Sequence, residues 1–125
     1  HSVHEKTAQA VPEILPHPNA YCGFIKYIKA FGQLRLEDTI RKITGVTAQW
    51  LGMEKRGTLK EGNFADVVVF DEKTLEPNEN HIEPRQKPKG IRFVFVNGKL
   101  TVQDGEHTGA RSGAVLRFNK KELFR

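Results

Sequence analysis

The apolar positions in the N-terminal half of the chain repeat at the period of an α-helix. Spacings of i, i+3, i+4 and i+7 place side chains on one face of a helix. This spacing is shared by Phe24, Tyr27, Ile28 and Phe31. We therefore predict a helix over residues 21–31 that ends at Gly32, because glycine readily adopts the conformation that follows a helix. Residues 1–20 contain three prolines, so we expect an irregular arm there.

A second helix is predicted over residues 36–44, followed by a short third helix over residues 48–51. The second has apolar residues on one face and acidic residues in its first turn, where they interact favourably with the helix dipole. We expect Gly45 to end the second helix, because glycine is common just past a helix end. Thr47 is expected to cap the third helix, and Gly52 to close it.

Beyond Gly57 the pattern changes to runs of β-branched and aromatic residues. Residues 65–71, ADVVVFD, have an apolar run between two aspartates, which predicts a strand buried on both faces. Residues 91–96 and 99–103 are joined by Asn97-Gly98. Asn-Gly favours a type I′ turn, which requires positive φ at both central residues. We therefore predict an antiparallel hairpin with this pair at its tip.

The remaining C-terminal segments are predicted from their turn-forming residues. Residues 72–90 contain three prolines and many charges, so we expect a long surface excursion. Residues 104–106, Asp-Gly-Glu, are typical of a turn. A last short strand is predicted over residues 115–116, before a charged tail that runs to Arg125.

The order of these elements predicts an α+β fold, with N-terminal helices followed by a small antiparallel β-sheet. We place the boundary between residues 1–56, the arm and helices, and residues 57–125, the strands and charged tail. A strand buried on both faces needs covering layers that this chain scarcely supplies. We therefore expect partner strands to be missing from it, and expect Trp50 to anchor the helices to the layer beneath them.

Composition narrows the classes of function. The chain has 125 residues and a net charge of +5, which is enough for one domain. Its basic residues are dispersed and lack interleaved aromatic residues, so we expect no nucleic-acid partner. It has no apolar run of membrane-spanning length, and we expect no membrane partner. The single cysteine, Cys22, favours a packing role and a reducing compartment, from which we expect a cytoplasmic protein.

The residues that usually carry chemistry form no complete site. The five histidines show no His-x-His or His-Glu-x-x-His spacing, so we expect no metal ion to be bound by this chain alone. Neither serine lies in a Gly-x-Ser-x-Gly motif. We assign no catalytic residue and no metal ligand. The chain begins at His1 rather than at Met, from which we expect it to be processed, tagged or cut from a longer protein.

Four blocks carry a family resemblance that the chemistry alone does not reveal. They are HPNAYCGF at 17–24; LEDTIRKIT with AQWLG within 36–52; RGTLKEGNFADVVVFD at 56–71; and VNG at 96–98 with HTGARSGAVLR at 107–117. The third block alone is similar to amidohydrolases in general. Together the four resemble the C-terminal part of the N-acyl-D-amino-acid deacylases, the D-aminoacylase branch of the amidohydrolase superfamily.

The resemblance implies a fragment of a larger enzyme. Family members have a (β/α)8 barrel with a small β-sandwich, so the helices here would be the end of the barrel and the strands part of the sandwich. The parent enzyme would use zinc to hydrolyse the amide of N-acyl-D-amino acids, with metal ligands and a catalytic aspartate upstream of residue 1. The chain alone would be inactive, would require the barrel as partner and would self-associate. The alternative is a stand-alone α+β binding module without catalysis.

The first block also supplies three candidate substrate-binding residues, His17, Asn19 and Tyr21. His17 and Tyr21 match the family motif and would line the mouth of the site or pack against it. The family motif usually has arginine at the position of Asn19, where a guanidinium suits a substrate carboxylate. Asparagine keeps the hydrogen bonding and loses the charge.

Overall fold

The computed structural model describes residues 15–31 and 35–117. Helix α1 spans Asn19–Phe31 and begins two residues before the predicted start, which lay within the expected irregular arm. Pro18 accepts hydrogen bonds from the backbone N–H groups of Tyr21 and Cys22, at 2.9 and 3.1 Å, and its ring fixes φ at a value suited to a helix start. The predicted stop at Gly32 lies outside the described residues.

The buried face of α1 contains Cys22 and Ile28. The thiol of Cys22 donates to the carbonyl of Pro18, 3.3 Å away, which confirms its packing role. The predicted self-association implies exposed apolar side chains on this helix, but Ile28 is only 7% exposed and packs within this chain. Along the described ranges, no helix has both the length and the apolar character needed to cross a bilayer.

The next helical segment is continuous through Gly45, contrary to prediction. Helix α2 spans Leu36–Arg41, a π-helical turn spans Lys42–Val46, and α3 spans Thr47–Trp50. Gly45 does not adopt positive φ, and a Cβ built there would lie 3.2 Å from the carbonyl oxygen of Gly57. Its small size therefore permits close approach of two backbone segments rather than a helix end.

Thr47 is not the predicted cap of α3. Its hydroxyl donates to the carbonyl of Lys42 at 2.9 Å, which satisfies an acceptor within the π-helical turn instead of a free N–H at a helix start. Gly52 does end the segment, with φ of 62°. Trp50 is 80% exposed, so the expectation that it anchors the helices is wrong for the part of the chain that the structure describes.

The sheet confirms the predicted antiparallel architecture. Strands β1 (Val67–Phe70), β2 (Ile91–Val96), β3 (Lys99–Gln103) and β4 (Glu106–His107) lie in sequential order, and every neighbouring pair is antiparallel. Asn97 and Gly98 have φ of 50° and 79°, as a type I′ hairpin turn requires. The predicted turn over residues 104–106 is confirmed at Asp104 and Gly105, which join β3 to β4, whereas Glu106 is already in β4.

Two strand predictions are wrong in detail. β1 is not buried on both faces, since Val68 and Val69 are 52% and 42% exposed. It lies at the edge of the sheet with β2 as its neighbour, and nothing within the described residues covers these side chains. Residues 115–116 form no strand, and Val115 is 86% exposed, so the predicted last strand is wrong.

The segment 72–90 is more than a surface excursion. Leu75 and Pro84 are the largest fully buried side chains of the described residues. The segment is closed at its base by a two-way backbone pairing of Glu76 with Lys89, at 3.1 and 2.8 Å, and by the hydrogen bond from Asp71 to the carbonyl of Gly90. Because its two ends are paired, the segment folds as a compact loop around the buried Leu75 and Pro84.

A set of polar contacts fastens the segment before β1 to the hairpin tip. Arg56 pairs with Asp66 and donates from Nη2 to Oδ1 of Asn97 at 2.9 Å. Asp66 in turn accepts the backbone N–H of Asn97 at 2.8 Å. The Arg56 guanidinium also lies 4.2 Å above the ring of Phe64. We call Arg56, Asp66 and Asn97 the hairpin node.

The hairpin node holds the pKa of Asp66 below its ordinary value of 3.8. Burial alone raises this pKa, but the N–H of Asn97 and the charge of Arg56 together outweigh the burial. A carboxyl whose pKa is lowered by folding stabilises the fold above its unfolded-state pKa. That contribution is lost as the pH falls from about 4 through the lower, folded-state pKa.

The variant Asp66→Asn is therefore expected to be less stable than the parent chain, by about 1 kcal/mol after allowance for partial exposure. The difference should narrow as the pH falls from about 6 to about 3. Urea unfolding followed by circular dichroism at both values measures it. Glu72→Gln is the control for net charge, because it removes an exposed carboxylate outside the node. If the stability difference between Asp66→Asn and the parent chain were the same at about pH 6 and about pH 3, the lowered pKa of Asp66 would be contradicted.

Candidate functional site

The three residues singled out from the first sequence block lie at the N-terminal end of α1. His17 lies two residues before the first helical residue, Asn19, and its Nδ1 accepts the backbone N–H of Asn19 at 3.1 Å. This contact orients the imidazole and satisfies one of the N–H groups left free at a helix start. Tyr21 lies in the first turn and is 44% exposed. The helix start thus places an imidazole, a carboxamide and a phenol close together along the chain.

This helix end is joined by Lys26 of the same helix and by two residues of a distant segment, Glu79 and His81. Lys26, on α1, donates from Nζ to Oδ1 of Asn19 at 3.3 Å and to Oε1 of Glu79 at 2.7 Å. His81 contributes a second imidazole, with Nε2 3.2 Å from the same Glu79 oxygen. Its ring meets that of His17 edge to face, with centroids 5.5 Å apart. We call these residues the helix-end cluster: His17, Asn19, Lys26, Glu79 and His81.

Electrostatics at the helix-end cluster are dominated by the contact between Lys26 and Glu79. The hydrogen bond from Lys26 lowers the pKa of Glu79, burial opposes that effect, and the Lys26 charge and His81 lower it further. Glu79 is therefore ionised at neutral pH and offsets the positive charge of Lys26. The carboxamide of Asn19 lies beside an ion pair rather than beside an isolated cation.

Sequence reasoning found only part of this cluster. Lys26 lies off the apolar spacing that predicts α1, and Glu79 and His81 lie within the segment expected to be a surface excursion. The contact between Lys26 and Glu79 joins residues 53 positions apart. No local periodicity predicts such a pair, because it depends on how the 72–90 loop folds back.

The helix-end cluster offers several hydrogen-bonding groups for a polar ligand. Asn19 offers both donors and an acceptor, and Lys26 and the imidazoles add polar contacts. Among residues 15–31 and 35–117, no group of three or more His, Cys, Asp or Glu side chains is arranged to hold a metal ion. The described residues therefore do not fit a metal centre, although the cluster is suited to bind and orient a polar group.

The amidohydrolase family model matches residues 16–102. The chain belongs to the amidohydrolase family. The match includes the helix-end cluster, the hairpin node and most of the sheet. It confirms the amidohydrolase resemblance drawn from the sequence blocks that lie within it.

Several relatives of this amidohydrolase chain are deacylases from Alcaligenes xylosoxydans xylosoxydans. A D-aminoacylase is 37% identical over 105 residues, which cover 81% of this chain and 22% of the relative. An N-acyl-D-aspartate deacylase is 39% identical over 106 residues, covering 81% of this chain and 21% of the relative. The chain thus spans about a fifth of the length of these relatives.

Solved structures give the same relationship. A copper chloride complex of a D-aminoacylase variant superimposes with a TM-score of 0.75 at 34% identity, covering 81% of this chain and 22% of the other. A D-aminoacylase structure concerned with the role of its binuclear metal centre superimposes with a TM-score of 0.73 at 33% identity, covering 78% of this chain and 22% of the other.

Proposed function

We propose that this chain is the C-terminal part of a metal-dependent amidohydrolase that hydrolyses the amide bond of N-acyl-D-amino acids. The observation that carries the proposal is the match of four-fifths of the chain to D-aminoacylase in both sequence and structure. Residues 1–56 would complete the barrel and residues 57–125 the β-sandwich. The partner of both segments would be the N-terminal part of the barrel of the same enzyme. We propose a cytoplasmic location for this enzyme.

The metal centre of such an enzyme lies outside the described residues in this proposal. A binuclear metal centre is described for D-aminoacylase, and we propose zinc for the whole enzyme here. No three His, Cys, Asp or Glu side chains of the described residues are grouped to hold a metal ion, so the ligand set would come from the rest of the enzyme. We expect the chain alone to bind no stoichiometric metal and to be inactive.

The contribution of this chain would be recognition of the substrate at the helix-end cluster. His17, Asn19 and Tyr21 would line the mouth of the site. The family arginine at position 19 would hold a carboxylate with two charged hydrogen bonds, whereas Asn19 offers neutral ones. A cation does contact Asn19, since Lys26 Nζ lies 3.3 Å from its Oδ1, but Glu79 offsets the charge of Lys26 at 2.7 Å. We therefore propose weaker selection for a substrate carboxylate than the family motif provides.

Grafting residues 15–117 in place of the matching segment of the Alcaligenes D-aminoacylase tests both parts of the proposal. The graft is expected to retain metal-dependent release of the acyl group from N-acetyl-D-amino acids. The KM is expected to exceed that of the parent by about tenfold, because neutral hydrogen bonds replace charged ones. Asn19→Arg in the graft should restore most of that difference.

Gln49→Arg is the matched control, since it adds the same charge at an exposed position of α3 and should leave KM unchanged. A folded, metal-loaded graft with no hydrolysis would contradict the proposed function and favour a stand-alone binding module. Hydrolysis that is indifferent to Asn19→Arg would contradict only the recognition role of position 19.

A further inference from the structure

The tip of the β2–β3 hairpin carries a chemically labile pair. Asn97-Gly98 is the only Asn-Gly pair in the chain. In flexible peptides this pair loses side-chain ammonia readily, because glycine has no side chain to hinder ring closure. The backbone nitrogen of Gly98 would attack Cγ of Asn97 as the bond from Cγ to Nδ2 breaks. The proton of Gly98 N–H leaves with the amide nitrogen as ammonia, and water then opens the succinimide to aspartate or isoaspartate.

Every group that this reaction needs is held by another segment. The attacking N–H of Gly98 donates to the carbonyl of Ala65 at 2.9 Å. The leaving nitrogen, Nδ2 of Asn97, donates to the carbonyl of Ser112 at 2.6 Å. The carbonyl oxygen Oδ1 accepts from Arg56 at 2.9 Å. Ring closure requires the carboxamide to rotate and the Gly98 N–H to be freed, so these contacts must separate first.

The segments that hold the pair lie on both sides of it in the sequence. Ala65 and Arg56 precede β1, whereas Ser112 follows β4. The Arg56 side chain is only 12% exposed, so water competes poorly for its hydrogen bonds. The pair is therefore inert while both segments are in place, and becomes reactive when either segment leaves the hairpin.

We propose that Asn97 is a conditional modification site, which deamidates when the hairpin node opens. The product cannot restore the closed arrangement. A carboxylate at position 97 has no N–H for the part-buried Ser112 carbonyl and brings a charged oxygen against it, and an acceptor that loses its partner destabilises the fold. Arg56 would then face two carboxylates, those of residues 66 and 97. Opening of the node would therefore lead to an irreversible covalent change at position 97.

The rate of deamidation tests this proposal directly. The full chain and a synthetic peptide of residues 93–102 are incubated under the same mildly alkaline conditions, and aspartate and isoaspartate at position 97 are measured by peptide mass spectrometry. Only the opened state reacts, so the chain should deamidate at least about tenfold more slowly than the peptide. Equal rates would overturn the proposal, and this comparison requires no variant.

A variant of the node identifies which contact protects the pair. Arg56→Lys keeps a positive charge near Asp66 and loses the second hydrogen bond to Asn97, so deamidation should accelerate by about fivefold, the effect of one ordinary hydrogen bond. Arg92→Lys is the matched control, because it weakens a surface pair with Asp104 at the other turn, and it should leave the rate unchanged.

Amide hydrogen exchange at Val94 and Val102, which pair across β2 and β3, separates local opening from unfolding. Faster deamidation with unchanged exchange in this ladder supports the node as the protecting device. An unchanged deamidation rate in Arg56→Lys, or equal acceleration in Arg92→Lys, would overturn it.

Discussion

Gly90→Ala is expected to lower the free energy of unfolding by about 3–5 kcal/mol, a large part of the stability of a small domain. Gly90 has φ of 86°, a conformation that strains any residue with a Cβ. A Cβ at this position would also lie 2.6 Å from Cα and 2.7 Å from N of Leu75. These are backbone atoms, so no side-chain rotation relieves the overlap, and the buried Leu75 must move.

Gly105→Ala is the matched control for the backbone strain alone. Gly105 has nearly the same φ, 83°, but nothing lies within 4 Å of a Cβ built there. Gly105→Ala should lower the free energy of unfolding by about 1–2 kcal/mol. The difference between the two variants, measured by urea unfolding with circular dichroism, reports the closeness of Leu75 to Gly90. Equal losses in both variants would contradict the close packing of the 72–90 loop.

The hairpin is the element that local sequence predicts best. Asn97 and Gly98 adopt positive φ because that conformation costs them least, and the runs on either side pair as a result. Helix α1 is predictable for a related reason, since its apolar spacing persists over two turns. In both cases the decisive interactions join residues close in sequence, and local chemistry is then sufficient.

The failed predictions depend on contacts between distant segments. Glycine at position 45 is typical of a helix end, but here it lets the backbone of the helical segment approach that of Gly57. Leu75 lies in a charged, proline-containing stretch and is nevertheless fully buried, because the pairing of Glu76 with Lys89 closes the loop around it. Only His17 and Asn19 of the helix-end cluster were predicted from sequence. The other members were missed for the same reason, because Lys26 reaches Glu79 only once that loop is folded.

The full chain, expressed alone, is expected to self-associate at micromolar concentration. Large apolar side chains remain on its surface, among them Phe24 and Trp50 on the helices, 69% and 80% exposed. Each such side chain contributes about 1.5–3 kcal/mol when it is buried. The outer edge of β1 also presents backbone groups and the exposed Val68, and such edges pair readily with other strands. Sedimentation velocity is expected to show species larger than the 14.2 kDa chain.

Variants distinguish the two surfaces that would drive this association. If the exposed helix side chains drive association, the double variant Phe24→Gln, Trp50→Gln should shift the chain towards monomer. If the sheet edge drives it, Val68→Lys should have that effect, because a charge on an edge strand blocks pairing. Ile82→Gln is the control, since Ile82 is 88% exposed but lies in the 72–90 loop, and an isolated exposed residue contributes little. A monomeric parent chain with dispersed NMR signals would contradict the prediction, because it would mean that these side chains need no covering layer. That result would favour a stand-alone module over a part of a deacylase.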